Sequence, residues 1–286
     1  MKKNLYSIEG KKIKEITLPE QFNELVRPDI IKRAVLVIQS KKRTPYGISP
    51  IAGKRASVYI SKRRRRWKSI YGSGRSRTPR KVMTSRGSQF FYVGAFSPNT
   101  VGGRRAHPPK SEKEWKIKVN KKERLKAIRS ALAATINKEL VQKRGHKIES
   151  LNTVIDSKIE SLSKTKDVKK ALIALGLEKE LVRVQEKKVR SGKGKSRGRK
   201  YKTKVGPLLV ISKDCPLQKS AAAIQGIDIC KVQNLNTELL APGTIPGRLT
   251  LFTEDSIKLL QEYKLFTTYA TPIQEKIDEK RKMTNE

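Results

Sequence analysis

The sequence lacks acidic side chains over a long central stretch. Asp29 is the last acid before it and Glu112 the first after it, so residues 41–110 contain no aspartate or glutamate. Basic residues in this stretch are interspersed with glycines and prolines, and apolar periodicity is mostly absent. This composition predicts a long loop rather than a set of helices and strands, and such a loop is either functional or disordered.

Long apolar runs and a secretory signal are also missing. No apolar run is long enough to span a bilayer. The start Met1-Lys2-Lys3 is typical of a signal peptide, but no apolar core follows before Glu9. We therefore expect no membrane-spanning segment.

Cysteine is rare, with Cys215 and Cys230 as the only two. They lack the spacing of a zinc site, and one possible pair is not a disulfide framework. Each flanks an apolar, strand-like segment. We therefore expect both to be buried free thiols in a reducing compartment.

Histidine is equally rare, and neither copy has the neighbours that catalysis needs. His107 lies beside arginines and His146 follows Gly145, without a carboxylate or cysteine at triad or ligand spacing. Gly194-Lys195-Ser196 resembles the end of a phosphate-binding P-loop, but the pattern predicts a helix before it instead of the required strand. A rival interpretation, an RNA-modifying or RNA-cleaving enzyme, would need such a loop or paired acids and histidines in a cleft. We predict no catalytic activity, no cofactor and no metal site.

Positive charge is what the chain has in excess. Of its 286 residues, 66 are lysine or arginine and 26 are aspartate or glutamate, which gives a net charge of +40. This balance points to a polyanionic partner, either a nucleic acid or an anionic membrane. The densest charge lies in glycine- and proline-rich chain rather than in a basic amphipathic helix, which favours nucleic acid. We therefore expect no membrane partner.

Ordering the central stretch requires a partner. Fixing a backbone costs about 1–2 kcal/mol per residue, so ordering this stretch costs on the order of 100 kcal/mol. The stretch has few aliphatic residues whose burial could offset that free energy. Any fixed shape must therefore come from a dense polyanion, and folding onto RNA is the leading hypothesis.

Two acid-free segments carry the residues that we predict to bind RNA. In the central stretch they are Lys62, Arg63, Arg64, Arg65, Arg66, Trp67, Lys68, Tyr71, Arg75, Arg77, Arg80, Lys81, Arg86, Arg104, Arg105, His107 and Lys110. In a second segment, Lys187–Lys204, they are Lys193, Lys195, Arg197, Arg199, Lys200 and Lys202. The cationic side chains are expected to neutralise phosphates, and the glycines between them let the backbone lie close to RNA. For the run from Arg63 to Arg66 the alternative is a nuclear-localisation-like or merely solvated cluster.

Aromatic side chains are concentrated in the same central stretch. They are Trp67, Tyr71, Phe90, Phe91, Tyr92 and Phe96. One interpretation is that they stack on unpaired bases between phosphate-binding arginines. The other is a small cluster that packs against the loop itself or against another protein, and the sequence leaves both open.

The rest of the chain alternates predicted strands and helices. Strands are expected at Leu5–Ile8, Ile13–Leu18, Trp115–Val119, Thr153–Ile155, Pro207–Ile211, Ile227–Val232 and Arg248–Phe252. Helices are expected from Pro28 to the basic run at 41–43, and at Asn120–Gly145, Asp167–Leu175, Glu178–Val189, Ser220–Ile224 and Glu254–Tyr263. Asn120 and Glu123 have the spacing of a capping box. Short apolar strands separated by helices predict an α/β fold, with a parallel sheet in a three-layer globular domain that carries the long irregular basic loop.

These patterns divide the chain into four parts. Residues 1–42 supply a hairpin and a helix of the globular domain, and 43–110 form the extended basic loop. Residues 111–270 supply the remainder of the α/β domain, interrupted by the second basic segment at 187–204. Residues 271–286, rich in lysine and glutamate, form a frayed tail.

Several short motifs, in order along almost the whole chain, resemble one known family. They are Gly72-Ser-Gly-Arg75, Gly103-Arg-Arg-Ala-His-Pro-Pro-Lys110, Arg129-Ser-Ala-Leu-Ala-Ala-Thr135, Arg144-Gly-His146, Lys195-Ser-Arg-Gly-Arg-Lys-Tyr201, Leu239-Leu-Ala-Pro-Gly243 and Pro246-Gly-Arg-Leu249. Together they resemble the family of the large-subunit ribosomal protein conventionally numbered four, in its archaeal and eukaryotic form. The absence of the long eukaryotic C-terminal extension favours the archaeal form. The segment Phe90-Phe91-Tyr92 departs from the usual tip of the family's loop.

The resemblance implies a structural constituent of the large ribosomal subunit. It implies a globular α/β domain on the solvent side and a loop that threads through large-subunit rRNA to the polypeptide exit tunnel, with a role in subunit assembly. The implied partners are large-subunit rRNA, neighbouring large-subunit proteins and, transiently, the nascent polypeptide, with no homo-oligomer. The implied location is the ribosome in the cytoplasm. The reach is feasible, because about thirty residues out and thirty back at about 3.3–3.6 Å each span on the order of 100 Å. The alternative function is a regulatory RNA-binding protein that acts on messenger RNA outside the ribosome.

Overall fold

The computed structural model describes residues 1–58, 60–66, 69–70 and 72–268. The chain forms two compact units, which we call the sheet unit (1–41 and 117–268) and the basic unit (42–116). The predicted tail at 271–286 lies outside the described residues.

Within the described ranges, strands and helices have the following bounds. The strands are β1 (Lys2–Tyr6), β2 (Lys12–Thr17), β3 (Arg80–Arg86), β4 (Gln89–Gly94), β5 (Val154–Ile155), β6 (Lys188–Val189), β7 (Tyr201–Lys202), β8 (Leu208–Ile211), β9 (Asp228–Lys231) and β10 (Thr250–Thr253). The α-helices are α1 (Pro28–Lys42), α2 (Lys121–Ile136), α3 (Lys138–Lys143), α4 (Thr165–Ala174), α5 (Glu178–Gln185), α6 (Leu217–Ala222), α7 (Thr237–Leu240) and α8 (Glu254–Glu262). Single 3-10 turns lie at Glu20–Phe22, Ser157–Ser161, Val232–Asn234 and Pro242–Thr244.

The sheet unit is built around one mixed, mostly parallel sheet in the order β2-β1-β5-β10-β8-β9. Strands β1, β5, β10, β8 and β9 pair in parallel, and β2 is an antiparallel edge strand that forms a hairpin with β1. The α/β prediction is confirmed.

Alternation along the central strands sends side chains into two separate cores. In β8, Leu208 and Val210 pack with α1, α2, α7 and α8 on one face of the sheet, whereas Leu209 and Ile211 pack with α4, α5 and α6 on the other. All four are buried. A strand buried on both faces must be apolar at every position, which is why 207–211 reads as a continuous apolar run.

The helix predicted from Asn120 to Gly145 is two helices. The helix is interrupted at Asn137. The Asn137 side chain accepts hydrogen bonds from the Glu139 and Leu140 amides and so caps α3. The predicted capping box is wrong, because the Asn120 side chain makes no cap hydrogen bond and Glu123 pairs instead with Arg33 at 3.0 Å. Apolar spacing continues through the break and therefore hides it.

Other predicted elements also need correction. The stretch around Trp115 is not a strand. The helix predicted to reach Val189 ends at Gln185, and Lys188–Val189 form β6. The prediction of a loop without elements is wrong for residues 80–94, where β3 and β4 form an antiparallel hairpin around Gly87 and Ser88.

Candidate nucleic-acid interface

The predicted arginine run lies on the surface of the basic unit. Lys62, Arg63, Arg64, Arg65 and Arg66 are all exposed. Arg65 adopts a left-handed backbone conformation with φ of 53°, and the Ser69 hydroxyl donates to the Arg63 carbonyl at 2.8 Å. These features form a turn that directs several guanidinium groups to solvent. The predicted residues Trp67, Lys68 and Tyr71 lie outside the described residues.

The β3–β4 hairpin and the residues just before it carry a second group of predicted cations. Arg75, Arg77 and Arg86 are exposed, whereas Arg80 and Lys81 at the start of β3 are partly buried. Arg80 donates to the Ser76 carbonyl and hydroxyl at 3.1 and 2.7 Å, and this fixes its guanidinium. The sequence predicted these residues in a loop, and the strand pairing gives Arg80, Lys81 and Arg86 a defined spacing.

The segment after the hairpin brings a third group together. Arg105, His107 and Lys110 are exposed and line a cavity of about 760 Å³, while Arg104 lies 6.0 Å from the Phe96 ring centroid. The chain turns so tightly here that a Cβ on Gly103 would lie 2.0 Å from the Ser97 carbonyl oxygen. Only glycine fits at this approach.

The same cavity borders an aromatic platform, formed by Tyr46 and Trp115 and covered by Arg43. The two rings stack with centroids 5.2 Å apart and an interplanar angle of 17°. The Arg43 guanidinium lies 3.9 Å from the Trp115 ring centroid, and the Lys113 ammonium lies 4.7 Å from it. Sequence reasoning missed the platform, because Trp115 was interpreted as part of a strand. Its signal was an aromatic residue at each end of an acid-free stretch.

The other predicted aromatics divide between two environments. Phe90 and Tyr92 are partly buried with ring centroids 6.1 Å apart, whereas Phe91, between them in β4, is 48% exposed. Alternation along the strand explains the difference. Part of this group thus packs within the basic unit, and Phe91 is available to a partner.

The second basic segment is a hairpin rather than a helix followed by loop. Strands β6 and β7 pair Lys188 with Lys202 and Val189 with Tyr201. Lys193, Lys195, Arg197, Arg199, Lys200 and Lys202 are all exposed. The hairpin displays a dense row of cations on the surface of the sheet unit.

A buried charged cluster lies near the base of this hairpin. His146 Nδ1 is 2.6 Å from Glu180 Oε1, and Arg183 donates to both Glu180 oxygens at 2.6 and 2.8 Å. Burial would raise the pKa of Glu180, but hydrogen bonds from Arg183, His146 and the Lys147 amide outweigh it and lower the pKa to about 2. Burial lowers the pKa of His146 despite the carboxylate. Neutral His146 therefore donates its Nδ1 proton to ionised Glu180. The sequence could not show this contact, because the two residues lie on separate elements.

The cysteines have no reactive features. Cys230 is buried as predicted, but the prediction is wrong for Cys215, which is partly exposed; both are free thiols. Burial raises the pKa of each thiol, to about 11 for Cys230. Neither is therefore a thiolate near neutral pH.

The described ranges hold neither a candidate metal site nor a helix that could span a membrane. They contain no group of three or more histidine, cysteine or acidic residues that could hold a metal ion. None of the helices there combines the length and the apolar character that crossing a bilayer requires.

Comparison with known proteins places the chain. It matches the Ribosomal protein L4/L1 family over residues 16–263. It is 51% identical over 263 residues to "Large ribosomal subunit protein uL4" of Nanoarchaeum equitans, covering 92% of this chain and 98% of the relative. It is 44% identical to the proteins of that name from Methanosphaera stadtmanae, over 90% of this chain and 95% of the relative, and from Archaeoglobus fulgidus, over 92% and 99%.

These matches, together with the α/β fold, define a structural ribosomal protein rather than an enzyme. The chain belongs to the Ribosomal protein L4/L1 family. The resemblance noted in the sequence is thereby confirmed, and so is the prediction of a non-enzymatic protein.

Proposed function

We propose that this chain is a constituent of the large ribosomal subunit in the cytoplasm, where it binds large-subunit rRNA, supports subunit assembly and lines part of the polypeptide exit tunnel. The relatives, which are named as large ribosomal subunit proteins, support the location. The observation that carries the RNA-binding role is that residues 41–110 hold no acid. Exposed cations there have no carboxylate within their own segment, so phosphates are the anions that match them.

The predicted cations would contact rRNA in three groups. The turn at 62–66, the strand pair β3–β4 with its flanks, and the segment 104–110 each expose several basic side chains. Tyr46, which is 50% exposed and stacks on Trp115, adds a ring on which a base or a ribose could pack. The β6–β7 hairpin supplies a further set on the sheet unit.

The β3–β4 hairpin has the properties of a tunnel wall. Val82, Met83, Phe91 and Val93 are large apolar side chains that are 39–59% exposed. A hairpin with exposed apolar groups and no acids is suited to passing contacts with nascent chains of many sequences. Neighbouring ribosomal proteins are the expected partners of the remaining surface.

Co-sedimentation tests this function directly. The tagged chain should remain with large subunits through a high-salt wash, because contacts buried within folded RNA exchange slowly. A variant with Arg63, Arg64, Arg65 and Arg66 replaced by glutamine should assemble less efficiently. Recovery in the free fraction after the wash, bound to messenger RNA instead, would favour the regulatory alternative and reject this function.

A further inference from the structure

A cationic cavity of about 520 Å³ lies on the sheet unit beside the β6–β7 hairpin. Its lining includes five basic residues and one histidine. They are Arg144, Arg183, Lys188, Lys202, Lys204 and His146. Two of these basic residues have carboxylate partners: Arg183 pairs with Glu180, and Lys204 pairs with Glu186, which also lines the cavity and whose charge Lys204 neutralises. The other three are the reason to expect a ligand.

Arg144 is a desolvated cation whose partners are neutral. Its guanidinium donates to the carbonyls of Pro242, at 2.6 Å, and Ile245. Burial, aided by the nearby Arg248 and Arg183, lowers its pKa to about 10. Among the described residues no carboxylate lies within ion-pair distance of it. Arg144 is partly buried, and a partly desolvated charge without a counter-charge is unfavourable, so an anion in the cavity would stabilise it.

Lys188 and Lys202 place two like charges opposite each other. They are directly paired in the antiparallel register of β6 and β7, and both line the cavity. Like charges at such a pair destabilise a hairpin, since their Cβ atoms are only about 4.5–5.5 Å apart. An anion that bridges the two ammonium groups would reverse the sign of this interaction.

His146 contributes an unused hydrogen-bond acceptor. Its Nδ1 is engaged with Glu180, whereas its Nε2 is buried and has no partner among the described residues. The side chain is 2% exposed and the residue belongs to the cavity lining. In the neutral tautomer with the proton on Nδ1, Nε2 accepts a hydrogen bond from a donor such as a hydroxyl group.

We propose that this cavity binds one ribonucleotide of an RNA backbone, with the phosphate against Arg144, Lys188 and Lys202 and the ribose 2′-hydroxyl directed to His146 Nε2. RNA is the polyanion that carries a hydroxyl donor next to each phosphate. A small rearrangement of the rim must admit the hydroxyl, because Nε2 is closed to solvent. The inference rests on the proposed function, and it adds a specific site that the basic segments alone do not define.

Histidine NMR of the full-length chain tests the site. Selective ¹⁵N labelling gives only two imidazoles, because His107 and His146 are the only histidines, and H107Q assigns the signals. A triuridine ribonucleotide, its deoxyribonucleotide counterpart and inorganic phosphate are titrated at constant ionic strength. The imidazole shifts report binding at His146 separately from non-specific binding elsewhere on the chain.

The expected result is a saturable shift of the His146 Nε2 signal with RNA. The affinity should fall about tenfold or more in R144Q, through loss of a charge-assisted hydrogen bond, and in K202E, which leaves the cluster beneath intact. The matched control K170E makes the same charge change on α4, outside the cavity, and should bind like the wild type. DNA should bind several-fold more weakly than RNA, and inorganic phosphate more weakly still.

Three outcomes would overturn the proposal. They are no shift of His146 in the wild type, a shift that R144Q and K202E leave unchanged, and equal affinity for RNA and DNA. The result is separable from the proposed function: if His146 does not respond but the chain still co-sediments with large subunits, only the cavity assignment fails. If the chain does not co-sediment, the proposed function fails regardless of the titration.

Discussion

The two units of this chain show two ways to give a polypeptide a fixed shape. In the sheet unit, side chains such as Leu208 and Leu209 fill two cores on opposite faces of one sheet. In the basic unit, the described residues bury few large apolar side chains, among them Ile70, and most of the cations are exposed. The first unit carries its stabilising interactions within itself. The second has local turns, one hairpin and an aromatic platform, and under the proposed function its charge is matched by RNA phosphates.

The two units also differ in how their charged side chains are paired. The sheet unit contains buried polar side chains with partners inside the unit: Glu160 accepts hydrogen bonds from Ser212 and Thr253, and Arg248 pairs with Asp228. The basic unit has no acid before Glu112. Its arginines therefore repel one another in the free protein, and this repulsion disappears when phosphates are present.

The largest expected effect is on the salt dependence of RNA binding. If six or more phosphates are engaged, affinity for large-subunit rRNA should fall by about 10³-fold or more between 50 and 200 mM salt. Replacing Arg63, Arg64, Arg65 and Arg66 with glutamine should flatten the slope, measured by filter binding across a salt series. The matched control replaces Lys164, Lys166, Lys169 and Lys170 around α4 with glutamine. An equal flattening in both variants would show that the position of the charges does not matter, and would contradict a specific role for residues 63–66.

The next largest effect contrasts two phenylalanines. Phe252 is 1% exposed and meets Phe22 edge to face at a centroid distance of 5.3 Å, so F252A should destabilise the sheet unit by about 3–5 kcal/mol. Phe91 is 48% exposed, and F91A should change the free energy of unfolding by less than about 0.5 kcal/mol. Chemical denaturation followed by circular dichroism measures both. A large loss from F91A would mean that the β3–β4 hairpin contributes to a core of its own.

Glu180 should make the sheet unit sensitive to acid. Its pKa is lowered from 4.5 to about 2 in the folded state, so its contribution is present above pH 4.5 and is lost as the pH falls towards 2. The pKa of His146 is lowered from 6.5, which adds a loss of stability below pH 6.5. E180Q should cost about 3 kcal/mol at neutral pH, because it leaves Arg183 buried without its counter-charge. Melting temperatures of both proteins from pH 7 to pH 3 should converge, and a constant difference would contradict the assignment.

The smallest effect distinguishes two asparagines at helix starts. Asn137 caps α3 with its side chain, so N137A should destabilise the sheet unit by about 1 kcal/mol. The Asn120 side chain makes no cap hydrogen bond to α2, so N120A should be close to neutral. Denaturant midpoints of the two variants provide the comparison. A similar loss of stability in both variants would support the capping box at Asn120 that the sequence suggested.

Much of the sheet unit could be predicted because its signals are local. The run at 207–211 has to be apolar throughout to lie between two helical layers, and Gly176 ends α4 with a left-handed φ of 80°. The break at Asn137 could not be predicted, since apolar spacing is the same on both sides of it. The β3–β4 hairpin was missed although Gly87-Ser88 is a recognised two-residue turn signal, because its strands are largely exposed and lack a clear apolar face.

In the candidate site too, some features could be predicted from local sequence and others depend on the fold. The exposure of the cations could be predicted from composition alone, because an acid-free segment contains no carboxylates with which its cations could be paired and buried. The cavity beside β6 and β7 depends on residues that only the fold assembles: Arg144 after α3, Arg183 in α5 and Lys202 in β7. The Nε2 atom of His146, which has no partner among the described residues, is oriented by the contact between His146 Nδ1 and Glu180. No spacing rule brings these groups together.

Limited proteolysis with and without RNA tests the central claim most directly. If the basic unit takes its fixed shape from RNA, as the proposed function requires, trypsin should cleave the free protein within residues 75–105 while the sheet unit survives. Bound large-subunit rRNA should suppress cleavage there, with mass spectrometry identifying the sites. Full protection of residues 75–105 in the absence of RNA would show that the basic unit is stable by itself and would contradict the account.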